Sequence, residues 1–428
     1  MTSQPGTVDE LMQRAQLAAA GGRLDDADGA LQKVLELAPD HPVALSQLGL
    51  SALRKGNVKA AIQNLQRAAQ LSPKNPVAHL NLAAGMRANR DSDAELAALD
   101  RALAIDPYFY PAMLAKGALL ERLGKTRQAA QQYSSALLIS PPAAKRPKEM
   151  SAILDRAAAL VAADRAELAS RLRASLANVR ARHSGARLSR FDECVDVRLG
   201  FKRPFFPQPT MLYFPGVPAV QFYDNEDFPW LPAVEEQTAA IRSEVSRLLS
   251  ESRSEFGAYV NHPDGAPVNQ WAELNRSPRW SAYFLWQDGA RIDAHCAECP
   301  ATAEALTRTP LAVVPSRAPA AFFSILEPKT RIPPHTGVTN TRLVVHLPLI
   351  VPPGCSFRVG NETREWKPGH AWIFDDSIEH EAWNDSDELR AILIFDIWNP
   401  HLSEAERELV SALLDGISGY YAEDAAAP

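Results

Sequence analysis

The stretch HTGVTNTRLVVHLPLIV, residues 335–351, decides the fold of the C-terminal half of the chain. Its apolar part is rich in β-branched residues, which favour strands. Similar short runs lie on either side of it, namely AAFFSIL at 320–326, CSFRVG at 355–360, HAWIFDD at 370–376 and LRAILIFDIW at 389–398. The turn-forming sequences PPG, KPG and NDSD separate these runs. From about residue 321 onward the pattern predicts a closed antiparallel barrel or jelly roll.

Two histidines lie beside predicted strands of this region. His335 opens the quoted stretch, and His380 lies in FDDSIEHEAW, residues 374–383. Residues that are far apart in sequence can meet at one mouth of a barrel, and imidazole is a good ligand for iron(II). Non-haem iron sites commonly add a carboxylate two positions after the first histidine, but this position is Gly337. The residues therefore indicate a pair of metal ligands without a carboxylate in the usual place.

Three segments in matching order and spacing resemble the aspartyl/asparaginyl β-hydroxylase family. They are HTGVTNTRLVVHL at 335–347, NETREWKPGHAWIFDDSIEHEAWND at 361–385 and LRAILIFDIWNP at 389–400. The similarity covers roughly residues 205–402. It implies a double-stranded β-helix, cupin-like, that uses iron(II), 2-oxoglutarate and O2. The family binds iron through two histidines without a carboxylate, so the resemblance implies His335 and His380 as the ligands.

The resemblance also implies which residues hold the co-substrate. Ser324 and Arg390 match the pair that binds the distal carboxylate of 2-oxoglutarate, and a guanidinium suits a carboxylate in charge and geometry. His346 matches the histidine near the proximal carboxylate. Arg342 matches one of two strand arginines that lie near the substrate, whereas the second of these positions is Val344. This departure from the family pattern leaves the substrate open.

Several of these residues also allow a structural interpretation. Arg390 could form a salt bridge with Asp376 or Asp396, and His346 could be a buried hydrogen-bonding residue. The resemblance identifies Asp375 and Asp376 as outer or turn residues and not as ligands. Three tryptophans could line the substrate cleft or pack in the core: Trp230, Trp280 and Trp286. Two other histidines are expected at the surface: His370 and His401.

The N-terminal third of the chain repeats itself every 34 residues, which is the tetratricopeptide period. Four prolines carry this spacing: Pro39, Pro73, Pro107 and Pro141. Glycines recur at the turn position of three units and alanines at a small packing position, but the third unit has Arg90 and Glu95 there. The pattern predicts four stacked helix pairs over residues 8–141, an α-solenoid, with a tilted pair or an altered turn in the third unit. The groove of such an array either binds a peptide or protein or serves as a scaffold.

At 428 residues the chain exceeds the ~250–300 residues at which a single hydrophobic core stops growing, so more than one domain is expected. Residues 142–195 keep a helical rhythm without the repeat spacing, which predicts a capping or connecting segment. Residues 200–428 are then an oxygenase-like domain. The multidomain architecture is an α-solenoid followed by a β-barrel.

Charge and cysteine content limit the possible partners and compartment. The net charge of -6 gives no reason to expect a nucleic acid as partner. We find neither a secretory leader pattern nor an apolar run of membrane-spanning length, and the four cysteines suit a reducing cytoplasm. Cys296 and Cys299 form a C-x-x-C motif, but no second pair completes a zinc site.

The function that the sequence predicts is iron(II)- and 2-oxoglutarate-dependent hydroxylation. The first expectation is a dioxygenase that acts on Asp or Asn side chains of a peptide or protein that the repeats recruit. One alternative keeps the chemistry but places a lipid acyl chain or a small metabolite in the site, because Val344 departs from the family pattern. The other alternative is a non-enzymatic, repeat-based interaction module.

Overall fold

The computed structural model of the protein describes residues 7–142 and 148–425. Its N-terminal part consists of four helix pairs, in each of which the first helix has 13 residues and the second has 14. The helices are α1 (Val8–Ala20), α2 (Leu24–Leu37), α3 (Pro42–Arg54), α4 (Val58–Leu71), α5 (Pro76–Ala88), α6 (Ser92–Ile105), α7 (Tyr110–Arg122) and α8 (Thr126–Ile139). The array of helical repeats that the 34-residue period predicts is confirmed.

Small residues allow the two helices of a unit to approach closely. Leu65 of α4 and Tyr133 of α8 are buried against Gly49 of α3 and Gly117 of α7, where a Cβ atom would overlap the larger side chain. The alanines at the predicted small positions are also buried: Ala27, Ala61 and Ala129. An added methyl group at such a contact costs about 1–3 kcal/mol, so these positions have little freedom.

The turn of the third unit is not altered. Arg90 has a φ of 60°, in the left-handed region that Gly22 and Gly56 occupy with φ of 73° and 77°. The N–H of Asp91 donates to Met86 O at 3.1 Å, which repeats the bond from Asn57 N to Ala52 O at 2.9 Å in the second unit. The prediction of an altered turn in the third unit is therefore wrong. Arg90 adopts the left-handed conformation at a steric cost of about 1–2 kcal/mol for a residue with a Cβ atom.

Glu95 occupies a packing position that other units fill with alanine. Its side chain is buried, and Arg122 Nη2 donates to both of its carboxylate oxygens at 2.6 and 2.8 Å. The guanidinium of Arg122 reaches solvent, so only one partner of the pair is fully desolvated. A charged residue is tolerated here because the next unit provides its counter-charge.

Two helices follow the repeats in the described part of the chain. They are α9 (Lys148–Arg182), which packs Leu154 and Ala157 against Tyr133 of α8, and α10 (Ser189–Leu199). One compact unit ends at Asp192 and the next begins at Glu193. Within the described ranges, no helix combines the length and the apolar character that crossing a membrane requires.

The second unit contains two antiparallel sheets. The first runs in the order β1-β2-β4-β11-β6-β9 with β3 paired to β2, and the second in the order β5-β10-β7-β8. The strands are β1 (Gly257–Ala258), β2 (Trp280–Gln287), β3 (Ala290–Arg291), β4 (Ala321–Leu326), β5 (Thr330–His335), β6 (Arg342–Ile350), β7 (Cys355–Val359), β8 (Glu362–Glu365), β9 (Trp372–Phe374), β10 (His380–Asn384) and β11 (Arg390–Trp398). From β4 onward the chain alternates between the sheets, apart from the β7–β8 hairpin. This is the predicted double-stranded β-helix arrangement.

The larger sheet has two buried faces, and neighbouring residues of its strands point to opposite faces. On β11, Leu393 and Phe395 join the core under the helices, whereas Ile392 and Ile394 face the smaller sheet. Helix α12 supplies Ile241 and other apolar residues to the first of these cores. The helices of this unit are α11 (Leu231–Glu235), α12 (Thr238–Glu251), α13 (Asp293–Glu298), α14 (Pro300–Thr307) and α15 (Glu404–Ala425). The space between the two sheets is therefore separate from the core beneath the helices.

Candidate active site

A cavity of about 400 Å³ lies between the two sheets. Alternate residues of β11 line it, beginning with Arg390 and ending with Asp396, and alternate residues of β6 and β4 do the same. Every residue that the sequence singled out for the site lines this cavity: Ser324, His335, Arg342, His346, His380 and Arg390. The strand alternation and the register between the sheets bring these six side chains together from five strands.

His335 and His380 are direct cross-strand neighbours of β5 and β10. Their ring centroids are 4.1 Å apart. Nδ1 of His335 lies 2.8 Å from Pro333 O, and Nδ1 of His380 lies 3.0 Å from Ile378 O. A carbonyl oxygen only accepts hydrogen bonds, so each Nδ1 carries the proton and each Nε2 keeps a free lone pair. Burial lowers the pKa of both imidazoles, which keeps them in the neutral form that binds metals.

The environment of Gly337 explains why this position carries no ligand. A Cβ atom at Gly337 would overlap the carboxyl group of Asp376, which approaches from the loop between β9 and β10. Asp376 also accepts the Gly337 N–H with its backbone oxygen at 2.7 Å. Burial raises the pKa of Asp376 to about 7, and its Oδ1 has no hydrogen-bond partner. Across the described residues no group of three potential ligands surrounds one point, so His335 and His380 stand as a pair.

Arg390 is a buried guanidinium without an acidic partner in the described part of the chain. It is 1% exposed, and its bonds are long ones from Nη1 to Ser324 O at 3.4 Å and to Ser324 Oγ at 3.5 Å. Its Nε has no partner, and burial lowers its pKa to about 10. The sequence allowed a salt bridge of Arg390 with Asp376 or Asp396, but no such bridge is present among the described residues. A desolvated cation of this kind is suited to an anionic ligand that enters the cavity.

His346 and Trp366 surround the same end of the cavity. His346 is buried among aromatic rings, its Nδ1 has no partner, and burial together with the charge of Arg390 holds its pKa well below the usual range. The ring of Trp366 lies 5.1 Å from the guanidinium carbon of Arg390. Ser324 Oγ accepts from Trp280 Nε1 at 3.1 Å, which leaves the hydroxyl hydrogen available to an acceptor. The donors of Ser324 and Arg390 therefore lie side by side in the cavity.

Arg342 differs from Arg390 because its charge is already paired. Its Nη1 donates to Asp396 Oδ2 at 2.6 Å, and this carboxylate also accepts the Ala320 N–H at 3.0 Å. Two residues further along β6, Val344 adds an apolar wall to the cavity. The cavity therefore has one unpaired guanidinium and one paired guanidinium.

Sequence reasoning did not predict the contacts that three residues of the cavity make. Asp396 and Asp376 contact the arginine and glycine of the site, and Trp280 orients the serine. A signal existed for Asp396, since an acidic residue within the apolar strand LRAILIFDIW requires a counter-charge in a buried sheet. No comparable signal existed for Trp280, because several tryptophans are equally plausible core residues. Of these, Trp230 and Trp286 belong to the core under the helices.

Other residues that the sequence raised lie outside the site. His370 and His401 are exposed, as predicted. Cys296 and Cys299 are buried in the helix-side core, and burial raises the pKa of both thiols. His295, beside them, stacks on Tyr283 with ring centroids 4.2 Å apart. The C-x-x-C segment is therefore a packed part of the fold.

Comparison with known proteins agrees with this geometry. Residues 235–400 match the profile of the family described as aspartyl/asparaginyl beta-hydroxylase, and residues 43–75 match a tetratricopeptide repeat. The human aspartyl/asparaginyl beta-hydroxylase is 36% identical over 185 residues, which cover 43% of this chain and 24% of the human protein. An ornithine lipid ester-linked acyl 2-hydroxylase of Rhizobium tropici is 34% identical over 186 residues, which cover 43% of this chain and 62% of that protein.

Solved structures resemble the chain only in part. A crystal structure of MamA protein covers 37% of this chain and 89% of its own, with 21% identity and a TM-score of 0.30. Of the two hydroxylases above, the chain spans about a quarter of the human protein and less than two thirds of the bacterial one. The region from residue 235 to residue 400, which includes both histidines and Arg390, is the part of this chain that is similar to the aspartyl/asparaginyl β-hydroxylase family.

Proposed function

We propose that the protein is an iron(II)- and 2-oxoglutarate-dependent hydroxylase. One observation carries the proposal. Arg390 is a buried guanidinium that has no acidic partner among the described residues, and it lines the same cavity as the histidine pair His335 and His380. A neutral imidazole pair with free Nε2 atoms is a suitable donor set for a divalent metal. A desolvated guanidinium beside a serine hydroxyl fits one carboxylate of a dicarboxylic acid. Donor groups suited to the metal and to the co-substrate therefore line one cavity, which supports the proposal.

The residues of the chain have separate tasks in this scheme. His335 and His380 hold the iron, Arg390 and Ser324 hold the distal carboxylate of 2-oxoglutarate, and His346 contacts the proximal end. When bound, iron(II) with 2-oxoglutarate and O2 supplies the oxidising power for C–H hydroxylation: one oxygen atom enters the substrate and the other enters succinate, with release of CO2. The aromatic and aliphatic walls keep water from the reacting groups.

The first substrate class that we propose is an Asp or Asn side chain of a peptide or protein. The family match supports it, because the human relative is named for action on these residues. The repeats over residues 8–141 would recruit the polypeptide, residues 142–195 would connect the two parts, and residues 200–428 would carry the chemistry. A cytoplasmic setting and the lack of a nucleic-acid partner remain predictions of the sequence.

The second substrate class is a lipid acyl chain or a small apolar metabolite. Val344 and the neighbouring Ile392, Ile394 and Phe322 give one side of the cavity an apolar surface. The name of the Rhizobium tropici relative places an acyl 2-hydroxylase among similar proteins. This candidate uses the same metal and co-substrate residues and differs only in what occupies the apolar side.

Succinate production by the full-length protein tests the activity. We expect it to require iron(II), 2-oxoglutarate and O2, and to increase when a substrate is added. Purified protein that binds neither iron(II) nor 2-oxoglutarate would contradict the proposal and would favour a repeat-based interaction module. Stimulation by acyl lipids but not by peptides would favour the second substrate class.

A further inference from the structure

The cavity offers few charged groups to a substrate. Its lining contains two guanidiniums and two carboxyl groups, on Arg342, Arg390, Asp376 and Asp396. Arg342 is already paired with Asp396 at 2.6 Å. In the proposed function, 2-oxoglutarate occupies Arg390. Among the described residues that line the cavity, no cation is then left to receive a charged carboxylate from a substrate.

Two polar atoms at the Arg342 side of the cavity have no partner. Nε of Arg342 is a buried donor, and Oδ1 of Asp376 is a buried acceptor. The whole side chain of Asp376 is more than nine-tenths buried. The two residues line the same cavity and lie close enough for their charges to interact. Buried polar groups are rarely left unpaired, so one donor and one acceptor here point to a ligand that offers the reverse pair.

We propose that the substrate group held beside the metal pair is an uncharged carboxamide, so that the enzyme prefers asparaginyl to aspartyl side chains. This inference rests on the proposed function. A carboxamide has one carbonyl oxygen, which accepts from Arg342 Nε, and one amino group, which donates to Asp376 Oδ1. Both unpaired atoms would be satisfied by a single functional group.

The competing groups satisfy fewer of these atoms. An ionised aspartyl side chain only accepts hydrogen bonds, so its second oxygen finds a partner only while Asp376 holds a proton, whereas the amino group of a carboxamide is matched by the ionised carboxylate. Its charge would also lack a free cation, because Asp396 occupies Arg342. An acyl methylene offers neither a donor nor an acceptor and would leave both atoms unpaired. Asparagine is therefore the better match within the proposed substrate class.

Affinity selection from two peptide pools tests this preference. The pools are identical mixtures with randomised flanks, one with a central Asn and the other with a central Asp. They are presented without oxygen to the full-length protein loaded with Zn(II) and 2-oxoglutarate, and bound peptides are quantified by mass spectrometry. We expect the Asn pool to be retained at least about tenfold better, since the Asp pool leaves a buried acceptor unpaired. Equal retention, or better retention of Asp peptides, would overturn the inference.

The substitution Asp376→Asn should weaken the preference. Its amide can donate to an aspartyl oxygen as well as accept from an asparaginyl amino group, so the preference for Asn should fall by about tenfold or more relative to the wild type. Asp375→Asn is the matched control, because Asp375 is buried beside Asp376 but bonds to Ser377 and does not line the cavity. The control should keep the wild-type preference. An Asp376→Asn protein with an unchanged preference contradicts the assigned role.

Further measurements separate this inference from the proposed function. Binding of 2-oxoglutarate to the Zn(II) protein is measured alone by calorimetry. If 2-oxoglutarate does not bind, the proposed function fails. If it binds but neither peptide pool is retained above a pool with central Ala, the carboxamide inference fails while the co-substrate site stands. Stronger retention of a fatty-acyl amide probe than of either pool would also overturn the peptide assignment.

Discussion

Arg390 is a buried cation for which the described residues supply no counter-charge, so it should reduce the stability of the ligand-free fold. Even the replacement of a buried ion pair by apolar side chains of similar volume often stabilises a protein by about 1–4 kcal/mol, and a buried charge without a partner is costlier than a paired one. We expect Arg390→Met to raise the free energy of unfolding without ligand and to abolish stabilisation by 2-oxoglutarate. Urea unfolding with and without 2-oxoglutarate measures both effects.

The matched control for this prediction is Arg358→Met. Arg358 is also largely buried in the second unit, but it donates to Glu379 and Glu381 at 3.0 and 2.6 Å. Its loss removes the less exposed cationic partner of each carboxylate and leaves only Arg203 to Glu379 and Arg331 to Glu381, so this variant should be less stable than the wild type. A stabilised Arg358→Met protein, or an Arg390→Met protein that still responds to 2-oxoglutarate, would refute the interpretation.

Asp376 makes the stability of the fold depend on pH. Burial raises its pKa from 3.8 to about 7, so between these values the folded state holds a proton that the unfolded state has lost. Stability contributed by this proton is present below about pH 4 and is lost as the pH rises to about 7. Asp376→Asn should remove this decline, as urea unfolding at pH 5 and pH 8 would detect.

Asp375 provides the control because burial raises its pKa in the same direction, to about 6. Asp375→Asn should remove only the part of the decline that ends near pH 6. If the wild type and Asp376→Asn lose equal stability between pH 5 and pH 8, the Asp376 carboxyl does not titrate as described.

The turn between α5 and α6 is the least favourable of the four repeat turns, because Arg90 adopts a positive φ there. Arg90→Gly should raise the free energy of unfolding by roughly 0.5–1 kcal/mol, since glycine removes the steric cost but adds chain entropy. The reverse change, Gly56→Arg in the second unit, should lower it by a similar amount. Urea unfolding followed by the helical circular dichroism signal compares the two. Equal stability of all three proteins would exclude strain at this turn.

Strand alternation explains which parts of the second unit were predictable. The run LRAILIFDIW contains the pattern of a strand buried on both faces, and the family resemblance added Arg390 to the site. The charge of Asp396 was visible in the sequence, but its pairing with Arg342 depends on the register between β6 and β11. Contacts across a register or through a loop, such as that of Asp376 with Gly337, are tertiary features that spacing does not encode.

At the scale of the whole molecule, the repeats and the cavity belong to two different compact units. His335→Ala and His380→Ala should each remove binding of one divalent metal while leaving the helical repeats folded. Calorimetric titration with Co(II) measures the first effect, and the circular dichroism signal at helical wavelengths measures the second. Retained metal binding in both variants would contradict the ligand assignment. Gln47→Ala in α3, far in sequence from the sheets, is the control and should keep both properties.

The 34-residue period could be recognised in the sequence because the two helices of each unit pack in the same way. Leu65 and Tyr133 fill the same place in different units, and the glycine opposite each one is required by contact. The exception was Arg90, where the period predicted a change and the backbone kept its shape. A repeat constrains the backbone more strongly than it constrains the residue, so the sequence can depart from its pattern without a change in structure.

The two independent faces of β11 also affect how this protein can evolve. Even-numbered residues from Arg390 to Asp396 line the cavity, while odd-numbered ones pack beneath the helices. Substitutions at Ile392 or Ile394 can therefore change the lining of the cavity while the core beneath the helices stays intact. A laboratory library confined to those positions and Val344 would alter the cavity at low risk to the fold, and the same substitutions are open to natural divergence.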